Sequence, residues 1–162
     1  MRLVSQAVSV AALALAADWL AKAWAEQALT LYQPVPVVGS FARLTLGYNT
    51  GVAFSMFTGG GWWLTAFTSV LIVGLAAWGL RALIRGDIPR RTAPAVGLVL
   101  GGALGNFVDR LPDSRVTDFI DIGIGATRWP TFNTADVWIV VGVILLVLLT
   151  NGEKQDVAAP AS

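Results

Sequence analysis

Two aspartates, Asp118 and Asp136, are the residues of this sequence best suited to chemistry. The chain contains neither histidine nor cysteine. That removes the usual general base, the commonest zinc ligand, thiolate nucleophiles and disulfides. Hydrolytic chemistry is left to Asp, Glu, Lys, Ser, Thr or Tyr. Asp118 lies in Arg115-Val116-Thr117-Asp118-Phe119-Ile120, where β-branched and aromatic neighbours predict at least partial burial. Asp136 closes Thr131-Phe132-Asn133-Thr134-Ala135-Asp136, with Asn133 three residues earlier on the same helix face. Asn133 also suits a helix N-cap, and Asp136 in the first turn suits the helix dipole; that reading is purely structural. Two carboxylates within hydrogen-bond reach cannot both ionise easily, so one pKa rises. The ionised member then activates a water while the protonated member polarises a scissile carbonyl, as in aspartic proteases. The spacing alone leaves open whether the two meet.

Other polar groups stand nearby in the sequence. Asp18 and Lys22, four apart, share a helix face and read equally as a helix-end ion pair or as part of a site. Asn106, Asp109 and Arg110 share a face directly after Gly97, Gly101 and Gly105. Those glycines recur every four residues and predict a close helix–helix approach. Asp109 and Arg110 are expected to pair with each other, so that removing Arg110 strands the Asp109 charge and destabilises the fold. Asp121 is expected to face solvent.

The elements that must position these groups are apolar. Of 162 residues, 56% are hydrophobic and 13% charged, against about 25% charged in a typical soluble domain. Four apolar blocks, about residues 3–20, 62–80, 93–110 and 134–150, are long enough to span a bilayer. The first resembles a signal peptide in length but ends in Asp18 and Lys22, and it is expected to be retained. Arg81, Arg85, Arg90 and Arg91 crowd the loop 81–92 and place it in the cytoplasm by the positive-inside rule, with both termini. Residues 23–61 and 111–133 then lie outside. In the first of these, Gln33-Pro34-Val35-Pro36 breaks any helix, and Phe41–Leu46 alternates as a strand does. The tail 152–162 is small, polar and expected to be disordered. The sequence thus predicts one mainly α membrane domain over residues 1–162. It is a four-transmembrane-helix bundle with a small extracytoplasmic β-containing segment. Net charge is +1 and no basic patch is present, so nucleic acid is not an expected partner.

Five motifs then carry a resemblance. They are Asp18-Trp19-Leu20-Ala21-Lys22, Asn49-Thr50-Gly51-Val52-Ala53-Phe54-Ser55, Gly101 through Arg110, Val116-Thr117-Asp118-Phe119, and Phe132-Asn133-Thr134-Ala135-Asp136. In this order and spacing, and over almost the whole chain, the sequence resembles the bacterial lipoprotein signal peptidase (signal peptidase II) family. The resemblance implies that Asp118 and Asp136 are the catalytic aspartates. It implies supporting or substrate-binding roles for Asp18, Lys22, Asn49, Gly51, Gly102, Asn106, Asp109, Arg110, Asn133 and Ala135. It also implies a substrate, a prolipoprotein whose cysteine carries a diacylglyceryl group, cut just before that cysteine. Trp19 and Thr117 depart from the family's common residues, which are Gln and an apolar residue respectively. Expected partners are this diacylated prolipoprotein and membrane lipid, with the chain acting as a monomer in the bacterial inner membrane. No metal or other cofactor is expected.

Three rivals remain distinct. A Ser–Lys peptidase would use Ser55 and Lys22. An ion or proton path would need ionisable residues at several depths, whereas these cluster at the outer ends of the spans. A noncatalytic assembly subunit would need only the glycine stripe. Trp62, Trp63 and Trp129 suit an interfacial anchor, Trp129 alternatively lining a lid over the site. Gly59-Gly60-Gly61 reads as a hinge for the first outer segment.

Overall fold

The computed structural model describes residues 2–50 and 61–158. Gly51, Ser55, Gly59 and Gly60, and the side chains of Trp62 and Trp63, lie outside the described residues. Four long helices carry the chain: α1 (Arg2–Ala28), α2 (Gly61–Arg85), α3 (Ala93–Asp113) and α4 (Thr134–Ala158). Four strands, β1 (Val35–Val38), β2 (Ala42–Asn49), β3 (Val116–Ile124) and β4 (Thr127–Arg128), form one antiparallel sheet in that order. The protein is therefore mostly helical with a small sheet.

The helices outrun the apolar blocks. After Leu20, α1 continues through Ala-Lys-Ala-Trp-Ala-Glu-Gln-Ala to Ala28 because these are strong helix formers. Helix α4 likewise runs on past the apolar block to Ala158. At the other end of the loop 81–92, α2 reaches Arg85 and a short 3₁₀ turn covers Arg90–Thr92.

Helix α3 is the centre of the bundle and packs mainly on α1 and α4. The glycine stripe explains the first contact. A β-carbon on Gly97 would lie 2.5 Å from the Ala7 carbonyl oxygen, and one on Gly101 2.6 Å from that of Ala11. At Gly105 it would lie 2.5 Å from Asp18 Oδ2. Two successive turns of α3 thus sit against the backbone of α1 and the next against the Asp18 carboxylate, as small-xxx-small spacing allows. On the α4 side, a β-carbon on Gly102 would strike the Ala135 carbonyl oxygen. Elsewhere the helices turn apolar groups outward: Leu13, Leu20, Val70, Trp78, Ile144 and Leu148 are exposed. Among the described residues, Arg2–Ala28 and Thr134–Asn151 are long and apolar enough to cross a membrane by length and composition. Contiguous exposed apolar surface of this kind suits lipid, not water.

The sheet grows from the helix ends. Pro36 is tolerated because β1 is an edge strand. Strand β2 pairs with β3, and a register shift between Leu44 and Gly47 brings Gly47 opposite Asp118. Irregularities of this type re-aim side chains next to sites. Asp121 does not face solvent. It is buried on β3, and the Arg43 guanidinium (2.6 Å), Thr45 Oγ1 (3.0 Å) and Arg128 Nε (2.8 Å) all donate to it. Burial raises its pKa, but these donors, Arg128 foremost, outweigh burial and leave it below the usual carboxylate range. The carboxylate ties β2, β3 and β4 together, a job invisible in its local sequence.

Candidate active site

Helix α4 begins on a reciprocal cap. The Asp136 backbone N–H donates to Asn133 Oδ1 (3.1 Å), and the Asn133 backbone N–H donates to Asp136 Oδ2 (3.2 Å). The structural reading of this pair is therefore correct, and it does not exclude another. Asn133 is fully buried, and its Nδ2 donates both to Asp118 Oδ1 (2.8 Å) and to Asn106 Oδ1 (3.0 Å). Asn106 Nδ2 in turn donates to Asp136 Oδ1 (2.8 Å). Two amides thus hold the two carboxylates from opposite elements, Asp118 on β3 and Asp136 on α4.

Both carboxylates line one cavity of about 520 Å³, together with Asn49, Asn106 and Arg110. Its other side is apolar, with Val137, Ile139, Val140 and Val141 of α4. Trp129, still exposed, also lines it. Burial pushes the Asp118 carboxyl up to about 7, and the neighbouring Asp136 charge adds to this. Hydrogen bonds from Asn133 and Asn49 pull it back in part. A carboxylic acid that keeps its proton near neutral pH, facing a second carboxylate, is the combination acid–base hydrolysis needs.

Behind the cavity lies an ion network. Lys22 Nζ contacts Asp18 Oδ2 (2.7 Å), Asp109 Oδ2 (3.0 Å) and Asn106 Oδ1 (3.1 Å), and Lys22 and Asp18 are almost wholly buried. Asp18 Oδ1 accepts from Thr134 Oγ1 and from the Ala135 backbone N–H, both at 2.7 Å. The carboxylate of α1 thereby fixes the first turn of α4, where Asp136 sits. Asp109 Oδ2 accepts from the Thr117 backbone N–H (3.1 Å), which fixes β3 next to Asp118. Gly102 and Gly105 make room for these approaches. Buried charges of both signs, each with several partners, satisfy the condition under which buried ion pairs persist.

The expected pairing of Asp109 with Arg110 is not found. Lys22 takes Asp109 instead, because α3 packs its small face on α1 and brings the ammonium between the two acids. Arg110 turns to the cavity. Its Nη1 donates to the Asn106 carbonyl oxygen (3.0 Å), and it lines the cavity together with Asp118 and Asp136. Of the expected site residues, the structure gathers Asp118, Asp136, Asn49, Asn106, Arg110 and Asn133 at the cavity. It sets Asp18, Lys22, Asp109, Gly102 and Ala135 behind it, and Gly51 lies outside the described residues. Sequence reasoning missed Glu26 and Thr134. Thr117 Oγ1 donates to Glu26 Oε1 (2.8 Å). The signal was present, since Asp18, Lys22 and Glu26 recur every four residues along one face of α1.

Comparison with known proteins agrees with this chemistry. The sequence model of the family described as signal peptidase (SPase) II matches residues 10–151. A lipoprotein signal peptidase of Xanthomonas axonopodis pv. citri is 41% identical over 156 residues, covering 94% of this chain and 90% of the relative. One from Xanthomonas oryzae pv. oryzae is 44% identical over 152 residues, covering 90% of each chain. Two solved structures share the fold, both described as bacterial membrane enzymes solved by the in meso method. The first, at 2.3 Å resolution, has a TM-score of 0.81 at 24% identity and covers 98% of this chain and 94% of that one. The second, at 1.9 Å, has a TM-score of 0.74 at 26% identity and covers 89% and 91%. The family match and the curated relatives make this helical protein an enzyme of the aspartic protease class. Within that class, the chain belongs to the signal peptidase II family.

Proposed function

We propose that the protein is an endopeptidase that removes the signal peptide from diacylglyceryl-modified prolipoproteins, cutting just before the lipidated cysteine, with Asp118 and Asp136 as the catalytic pair. The observation that carries this reading is the shared cavity. Two carboxylates face it, bridged by Asn133 and Asn106, and one of them has its pKa raised to about 7. Asp118 holds the proton and hydrogen-bonds the scissile carbonyl oxygen. Asp136 takes a proton from water, and the hydroxide formed attacks the carbonyl carbon. As the hydroxide adds, Asp118 gives its proton to the carbonyl oxygen and a tetrahedral diol forms. Asp136 then passes the proton taken from water to the nitrogen of the cysteine, and a diol hydroxyl returns a proton to Asp118. The C–N bond breaks, and the signal peptide leaves as a carboxylic acid that ionises in water. Arg110, beside both acids, offsets negative charge as it develops.

The apolar α4 wall suits the signal segment and acyl chains. All four long helices span the bacterial inner membrane in this reading, with both termini and the arginine-rich 81–92 loop in the cytoplasm. The sheet and the carboxylates then lie at the outer face, where the sheet and Trp129 meet the lipid headgroups. The protein acts as a monomer. Lys22 as the base of a Ser–Lys pair is disfavoured, because its donors are already engaged by Asp18, Asp109 and Asn106. The test is cleavage of a purified diacylated prolipoprotein in detergent or proteoliposomes, with its unlipidated counterpart as control. Equal cleavage of both, or cleavage elsewhere than before the cysteine, would refute the substrate assignment.

A further inference from the structure

Asp118 is a wall of two cavities, not one. The second, about 190 Å³, lies against Tyr32, Thr45, Gly47 and Tyr48, and shares Asn49, Asp118, Pro130 and Thr131 with the large one. Its origin is local. Gly47 stands opposite Asp118 in the β2–β3 register, and opposed residues of antiparallel strands project to the same face. Gly47 projects nothing, so space is left beside the Asp118 carboxyl. Across that space stands Tyr32: a β-carbon on Gly47 would lie 3.7 Å from Tyr32 Cε1, an ordinary contact. Tyr32 itself adopts φ 58°, a conformation uncommon for a side chain of its size. It is held there by its N–H, which donates to the Leu46 carbonyl oxygen (2.9 Å). Strained residues over-determined by their surroundings concentrate at functional sites.

The two cavities differ in chemistry. The large one has the aliphatic wall of α4 and is mainly apolar, whereas the small one has a mixed lining in which Tyr32, Tyr48, Thr45 and Thr131 stand beside Leu46 and Pro130. A peptide bond under attack at Asp118 has chain on both sides. The signal segment is apolar, but the polypeptide after the lipidated cysteine is bound for water. We infer that the small cavity over Gly47 receives the side chain of the residue that follows the lipidated cysteine, and that Gly47 and Tyr32 set which residues are accepted there. The inference rests on the endopeptidase reading.

It is tested with diacylated prolipoproteins that differ only in carrying Gly or Phe directly after the cysteine, cleaved by the full-length protein and two variants. Gly47→Val puts a side chain into the cavity, its β-carbon in ordinary contact with Tyr32 Cε1 at 3.7 Å, and should raise the Gly-to-Phe ratio of kcat/KM about tenfold or more, the scale on which pockets discriminate side chains. Tyr32→Ala widens the cavity and should lower the same ratio. An unchanged ratio in Tyr32→Ala overturns the inference whatever Gly47→Val does, including a failure of that variant to fold. Absence of cleavage of either substrate by the unmodified protein would instead strike the endopeptidase reading beneath it.

Discussion

The Asp118 carboxyl carries a cost in stability that its proposed catalytic role requires. Its pKa is about 7 in the fold against 3.8 in the unfolded chain. Between those values the native state holds a proton that the unfolded state has released, so stability falls as pH rises through the window. Above about pH 7 the penalty is complete, and below about pH 4 it is gone. Asp118→Asn should therefore be more stable than the parent by on the order of a few kcal/mol at pH 8, the difference vanishing towards pH 4. Thermal denaturation across that range checks this. In the proposed mechanism the same proton sets the activity profile: kcat/KM should fall on the alkaline side with an apparent pKa near 7, as the acid member of the pair is lost. Arg110 provides a second residue-level test. Since Lys22 rather than Arg110 neutralises Asp109, Arg110→Ala should lower kcat on the order of 10²-fold or more and cost less stability than Lys22→Met. The latter leaves Asp18 and Asp109 buried without their cation and should cost about 3–5 kcal/mol.

At the scale of elements, the site is an agreement between α1, α3, β3 and α4. Asp18 sets the start of α4 through the Thr134 hydroxyl and the Ala135 N–H. Asp109 and Glu26 set β3 through the Thr117 N–H and hydroxyl. The resemblance leads to the expectation of an apolar residue at position 117, and it is the Thr117 hydroxyl that makes the Glu26 contact. Removing the hydroxyl with Thr117→Val, or its acceptor with Glu26→Ala, should lower kcat several-fold with little change in KM. The double variant should be no worse than either single one, as two ends of one contact require. Helix contact sets the second limit. Gly101→Val drives a side chain into the α1 backbone at Ala11 and should destabilise by about 1–3 kcal/mol or more, read as a lowered melting temperature in detergent. Much of this was legible in the sequence. The glycine spacing announced a close helix pair, the FNTAD segment announced a capped helix start, and alternation from Phe41 announced a strand. Partner choice was not legible. Nothing local says that Lys22 rather than Arg110 meets Asp109, or that Asp121 lies beneath two arginines, because those contacts join residues 78 or more positions apart or on opposite sides of a turn.

At the scale of the molecule, apolar helices hold a carboxylate-lined cavity against a small sheet, so that acid chemistry and an apolar substrate share one boundary. The helices run past the ends of the apolar blocks because a helix does not stop where an apolar run stops. Propensity carried α1 to Ala28 and α4 to Ala158. The family resemblance, not the spacing of single residues, joined Asp118 to Asp136 in advance of any geometry. The central claim is that this pair performs the hydrolysis, and cleavage of a diacylated prolipoprotein by the purified protein beside its Asp118→Asn and Asp136→Asn variants tests it most directly. Each variant should fold, retain the ion network behind the site, and lose on the order of 10³-fold or more in turnover. Processing at a rate near that of the parent by either well-folded variant would contradict the account.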